Sequence, residues 1–233
     1  MRARDVMVRA VATTTPETTV ESVARLMINL RISGLPVLDK NGQLVGIVTE
    51  GDLLRRTETG TERRRSRWSQ WFSAISRLAA EYIKSHARRV EDIMSREVVS
   101  VGELATLAEI AELMQTKQIK RVPVVHDAKI VGIVSRADLL QVLASGGATT
   151  ANEDSDRLIR ERLLGELRKQ EWANSAAANV VVSDGVVHFW GTVGSEEEST
   201  ALRVVAENIP SIRGIEDHTI SGPRYLAPLF PAI

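Results

Sequence analysis

The sequence predicts a mixed α/β (α+β) fold, a pseudo-twofold pair of β-α-β-β-α motifs followed by a small α-β-β-α-β domain. The first observation behind this prediction is a repeat at a shift of 86–87 residues, because residues 35–38 match 122–125 and residues 46–54 match 132–140. The second is an apolar face at helical spacing in each copy. The third is a turn signal at residues 183–185 between two valine-rich runs, which predicts a β-hairpin near the C-terminus.

Composition narrows the class of protein. The 233 residues carry no formal net charge, so there is no electrostatic reason to expect a nucleic-acid partner. The absence of cysteine excludes disulfides and thiol nucleophiles. No secretory leader and no apolar run of membrane-spanning length are present in the sequence, so we expect a cytoplasmic protein.

Each copy begins with a predicted strand, at residues 11–13 or 98–100, and a predicted helix follows it. The pairs Thr18–Glu21 and Thr106–Glu109 fit capping boxes at the start of that helix. Two apolar strands joined by a turn come next. A second helix is predicted to begin near Asp52 or Asp138. A unit of this size is too small to close its own core, so the two copies are expected to pack on each other.

This pattern resembles the CBS motif, and two copies in tandem are similar to a CBS pair, or Bateman module. The resemblance covers residues 1–145, with copy one at about 1–56 and copy two at about 91–145. It implies that an adenine nucleotide binds in the cleft between the copies. AMP, ADP and ATP are the expected ligands, with NAD and S-adenosylmethionine as alternatives.

In this family the pattern Gly-h-h-[Thr/Ser]-x-x-Asp, where h is apolar, is the ribose-phosphate signature. A carboxylate accepts hydrogen bonds from both ribose hydroxyls, and a hydroxyl near a helix N-terminus donates to a phosphate. The alternative is that both aspartates only cap their helices. The predicted nucleotide-binding residues are Thr13, Val37, Thr49, Asp52, Val99, Lys120, Arg121, Val124, Ser135, Arg136 and Asp138.

The two sites are expected to differ in charge. Lys120, Arg121 and Arg136 flank the second signature, whereas Glu50 lies beside the first. Cationic side chains neutralise phosphates and a carboxylate repels them. The sequence therefore predicts tighter phosphate binding at the second signature, unless these charges are only solvated surface.

Residues 57–90 separate the copies and contain a basic run at 63–67 followed by a Trp-containing amphipathic helix. Such a helix could pack on the CBS pair or on a second subunit, and the alternative is that it docks on an anionic membrane. Its role is left open by the sequence.

The C-terminal region begins after a linker at residues 146–152. Predicted helices at 155–169 and 195–209 enclose strands at 179–182 and 186–190, and a final strand surrounds 214–220. This order, with the hairpin signal, is similar to the BON domain over about residues 153–222. An apolar tail occupies residues 223–233.

These observations favour a regulatory sensor that passes its nucleotide state to the BON domain or to an unknown protein partner. We expect a homodimer formed through the CBS pair and no catalytic activity, because no catalytic motif is present. No metal site is predicted, because the four histidines are scattered and form no ligand spacing. The alternatives are a ligand-free dimerisation scaffold and a peripheral membrane protein that uses the Trp-containing helix and the BON domain.

Overall fold

The computed structural model describes residues 1–54, 82–83, 86–147, 153–173 and 177–221. Most of the predicted segment 57–90, most of the linker and the predicted apolar tail therefore lie outside the described residues. Within the described chain, two compact units are found. The first-copy unit contains the described residues of 12–99 and 127–130, and the second-copy unit contains residues 1–11, 100–126 and the described residues between Val131 and Arg224.

The helices are α1 Ala3–Val6, α2 Val20–Leu30, α3 Glu50–Leu53, α4 Val90–Ile93, α5 Leu107–Thr116, α6 Arg136–Ala144, α7 Glu153–Leu167 and α8 Glu196–Glu207. The strands are β1 Gly34–Leu38, β2 Leu44–Thr49, β3 Val101–Gly102, β4 Arg121–His126, β5 Lys129–Ser135, β6 Ala177–Ser183, β7 Val186–Val193 and β8 Gly214–Ser221. Their sheets have the orders β1-β2, β3-β4-β5 and β6-β7-β8.

The core of the first-copy unit is completed by the leading helix of copy two. Val23 of α2 and Leu35 of β1 are fully buried together with Val90 and Ile93 of α4. The leading segment of the second repeat is therefore part of the first-copy unit in space.

The second-copy unit shows the reciprocal arrangement. Val6 and Met7, at the end of α1, are fully buried with Ile110 of α5 and Val124 of β4. The two copies were predicted as contiguous stretches of sequence, at 1–56 and 91–145. Those bounds follow the repeat along the sequence and stay a prediction. In space, each compact unit includes the leading helix of the other repeat, because the apolar residues of that helix are buried in its core.

The first strand of each copy lies later in the chain than predicted. Instead of a strand at 11–13, Thr14 forms a single parallel bridge with Val37, and instead of a strand at 98–100, β3 begins at Val101 and pairs in parallel with Val124. Apolar composition does not reveal which residue of a short run is paired, because the partner strand determines the register.

The helix caps agree with the prediction in one copy only. Thr106 and Glu109 form the predicted capping box at the start of α5. In copy one, Thr19 rather than Thr18 is the N-cap of α2, and its side chain accepts a hydrogen bond from the backbone of Ser22. Neighbouring threonines are equally suited to capping, so the sequence alone could not choose between them.

The C-terminal region has the predicted order α-β-β-α-β. Strands β6 and β7 form an antiparallel hairpin, and β8 adds in parallel to β7. The turn residues Asp184 and Gly185 both have positive φ, 48° and 76°, which a two-residue hairpin turn requires. One face of this sheet packs on α7 and α8 through fully buried residues such as Leu163 and Phe189. Within the described residues, no helix combines the length and the apolarity that crossing a bilayer requires.

Candidate functional site

The second signature lies where strand β5 meets helix α6. Ser135 ends the strand and caps the helix, and Asp138 is the third residue of the helix. The Oδ2 atom of Asp138 accepts hydrogen bonds from the backbone N–H of Ser135 at 2.6 Å and from its hydroxyl at 2.7 Å. The aspartate therefore closes a capping box and is not itself the N-cap.

The first signature has the same local geometry at the junction of β2 and α3. The Oδ2 atom of Asp52 accepts hydrogen bonds from the backbone N–H of Thr49 at 3.0 Å and from its hydroxyl at 2.9 Å. Asp52 is partly exposed, whereas Asp138 is only 5% exposed. Helix capping, which the sequence left as an alternative role for the two aspartates, is thus present in both copies. It uses only the Oδ2 atom of each carboxylate.

The second oxygen of Asp138 is held by the C-terminal region. The side-chain amide of Asn179, on β6, donates to Asp138 Oδ1 at 3.1 Å and to Gln141 Oε1 at 2.9 Å. Burial raises the pKa of the Asp138 carboxyl above 3.8, while hydrogen bonds from Ser135 and Asn179 act in the opposite direction. The sequence analysis did not identify Asn179. The signal that could have identified it was a polar side chain directly before the valines at 180–182.

The other predicted residues of the second-copy unit lie close along the same elements. The backbone N–H of Arg136 donates to the carbonyl of Lys120 at 3.0 Å, and both side chains are exposed. Arg121 begins β4 and is partly buried, and Val124 in the same strand is fully buried.

The remaining predicted residues belong to the first-copy unit. Thr13 precedes the bridge between Thr14 and Val37, and Val37 is fully buried in β1. Val99 is partly buried and lies outside the strands, contrary to the predicted strand at 98–100. Each unit therefore brings together its own signature and part of the predicted apolar lining.

The sheet of the C-terminal region is joined to copy two by its second face. Val181 of β6 is fully buried in the same cluster as Ile110 of α5. The indole N–H of Trp190 donates to the hydroxyl of Ser145 at 3.3 Å, and the Ser183 hydroxyl donates to the carbonyl of Gly147 at 3.1 Å. The contact between Asn179 and Asp138 is thus part of a wider buried interface.

Comparison with known families agrees with this architecture. The CBS domain model matches residues 3–58 and 90–145, and the BON domain model matches residues 155–221. The chain is 30% identical over 137 residues to the CBS domain-containing protein YhcV of Bacillus subtilis, covering 58% of this chain and 81% of that protein. It is 32% identical over 144 residues to the chloroplastic CBS domain-containing protein CBSX1 of Arabidopsis thaliana, covering 56% of this chain. The match spans 60% of the length of that plant relative.

A solved structure with a similar fold is CBSX2 in complex with AMP. The two chains are 26% identical with a TM-score of 0.54, and the match covers 62% of this chain and 97% of the CBSX2 chain.

Proposed function

This chain belongs to the family of CBS-domain proteins and ends in a BON domain, and on that premise we propose that it is a regulatory module that binds an adenine nucleotide. The proposal is supported by the signature in each copy, where a carboxylate lies beside a hydroxyl and a helix N-terminus. The similarity to CBSX2, which was solved with AMP, makes AMP the first ligand to test.

The geometry of Ser135 and Asp138 carries this proposal, and the hydrogen bond from Asn179 to Asp138 connects that site to the BON domain. Asp138 is only 5% exposed and its Oδ1 already accepts from Asn179, so a ribose hydroxyl can reach that oxygen only when this contact opens. Nucleotide at the second signature and docking of strand β6 therefore compete for one acceptor. By linkage, AMP weakens the docking of β6 by the same factor by which docked β6 weakens AMP binding.

This competition gives a route by which the nucleotide state reaches the BON domain. AMP at Asp138 displaces the amide of Asn179 and loosens β6 from copy two, while the undocked β6 leaves Asp138 available for the ribose. The tighter binding of phosphates at the second signature stays a prediction. Under this proposal, nucleotide binds there only after Asn179 has moved away from Asp138.

The test is calorimetry of AMP binding to the full chain and its variants. Asn179→Ala should tighten AMP binding by about 10–100-fold, because a competing hydrogen bond to a charged group worth roughly 1.5–3 kcal/mol is lost. Adding Asp138→Ala to that variant should abolish the gain, because the shared acceptor is then absent.

Asn208→Ala is the matched control, since among the described residues its amide donates to the carbonyl of Val204 within α8. It should leave AMP affinity unchanged. An unchanged affinity in Asn179→Ala would contradict the coupling. Absence of AMP, ADP and ATP binding in folded wild-type protein would favour the dimerisation scaffold instead.

We also propose that the chain is a homodimer formed through its CBS pair. Leu140 and Leu143, three residues apart on α6, are both exposed apolar side chains. A partner subunit would remove them from water.

A further inference from the structure

Two histidines and a glutamate meet on the sheet of the BON domain. The parallel register of β7 and β8 pairs His188 with Glu216 and Trp190 with His218. His188 Nδ1 lies 3.4 Å from His218 Nε2, and Glu216 Oε2 lies 3.4 Å from each of these nitrogens. The three donor atoms therefore form a nearly equilateral triangle.

The spacing of these atoms is close to the spacing of neighbouring zinc ligands. A charge-assisted hydrogen bond joins nitrogen and oxygen at about 2.7–2.9 Å, which is shorter than the separations here. Zinc binds imidazole nitrogen and carboxylate oxygen at about 2.0–2.1 Å, so neighbouring ligands of a tetrahedral site are roughly 3.3–3.4 Å apart. The measured triangle matches one face of that tetrahedron.

We propose that His188, Glu216 and His218 bind one Zn²⁺ ion through Nδ1, Oε2 and Nε2, with water at the fourth position. Two imidazoles and one carboxylate form a donor set that suits zinc, whereas magnesium and calcium prefer oxygen ligands alone. A fourth position open to water is accessible because the Glu216 side chain is 58% exposed.

The surroundings of the triangle hold its donors in place. The ring of Trp190 stacks on the ring of His218 with centroids 3.9 Å apart, which limits rotation of that imidazole. His188 is buried in the central strand of the sheet.

Linear spacing concealed this cluster. The histidines are far apart in sequence, and the prediction of no metal site relied on that separation. The parallel pairing of β7 with β8 brings them together, because alternate residues of a strand share a face and paired residues are neighbours across it.

Calorimetry with Zn²⁺ alone tests the proposal on the full chain, purified without a histidine tag and stripped with a chelator. We expect a stoichiometry of one, and Co²⁺ at the same site should give the visible absorption of a tetrahedral complex. Glu216→Gln and His218→Ala should each weaken Zn²⁺ binding by more than about 100-fold, because even the loss of a partner behind a ligand costs about 10–100-fold.

His126→Ala is the matched control. His126 Nδ1 lies 3.4 Å from Glu103 Oε2, but within the described residues this pair belongs to no cluster of three metal-ligand side chains. The Zn²⁺ affinity of the His126→Ala variant should equal that of the wild type. Thermal unfolding must show that all variants are folded. Glu216 and His218 are chosen because they are more exposed than His188, which stays in place. Failure of the wild type to bind Zn²⁺, or full binding by folded Glu216→Gln and His218→Ala, would overturn the proposal.

Discussion

Gly132 and Gly46 occupy equivalent positions in the two repeats, and each lies against a methionine of an exchanged leading segment. A Cβ atom added at Gly132 would be 2.7 Å from Cγ and 3.0 Å from Cβ of Met7. At Gly46 it would be 2.6 Å from Sδ of Met94. The first residue of the ribose-phosphate signature therefore has a packing role, because a side chain there would displace a buried methionine.

Gly132→Ala should destabilise the protein by about 1–3 kcal/mol, the usual cost of overpacking a close-packed core. Urea unfolding followed by circular dichroism would measure the loss. Gly102→Ala is the control, since among the described residues no atom beyond its chain neighbours lies within 4 Å of a Cβ built there, so the stability of this variant should hardly change. Equal stability of Gly132→Ala and wild type would show that Met7 adjusts without cost.

At the scale of secondary structure, one buried side chain joins three elements of the second-copy unit, α1, α7 and β6. Arg160 of α7 donates to the carbonyl of Val180 in β6 at 2.8 Å. It also donates to the carbonyl of Arg4 within α1 and to that of Met7, the C-cap of α1, at 3.0 Å each. Burial, the largest cause, lowers the pKa of Arg160 to about 10, so the guanidinium stays charged at neutral pH.

Arg160→Met should lower the free energy of unfolding by about 3 kcal/mol or more, because three carbonyls lose a charged donor and remain buried. The exposed neighbour Arg162→Met is the control and should change stability by less than about 0.5 kcal/mol. Thermal and urea unfolding of both variants would measure this difference. A similar loss in the two variants would mean that the contacts of Arg160 contribute little.

At the scale of the whole molecule, the proposed homodimer can be tested by measuring the mass of the protein in solution. The chain has a mass of 25.6 kDa, so light scattering of the full protein should give about twice that value at micromolar concentration. Leu140→Glu combined with Leu143→Glu should produce a monomer, because these side chains are 64% and 72% exposed in the single chain and would place charges in a buried interface.

Glu112→Ala is a suitable control for the dimer, since it changes an exposed charge on the neighbouring helix α5. It should leave the mass unchanged. A wild-type protein that scatters as a monomer would remove the dimer proposal while leaving the nucleotide proposal intact.

Short-range and repeated patterns were readable from the sequence. The shift between the copies predicted two CBS motifs, and apolar periodicity with the turn at Asp184 and Gly185 predicted the order of elements in the BON domain. The positions of Thr49 and Asp52, and of Ser135 and Asp138, followed from the same repeat. These features depend on residues that are neighbours along the chain, so local spacing is sufficient to predict them.

The tertiary structure alone decided which distant residues meet. It placed Met7 in the core of the second copy, the amide of Asn179 on Asp138, and His188 beside Glu216 and His218. Each of these contacts joins residues that are far apart in the sequence and close together in the folded chain. They arise because apolar surfaces too small to be buried within one segment are buried against another, and that burial brings the polar groups together.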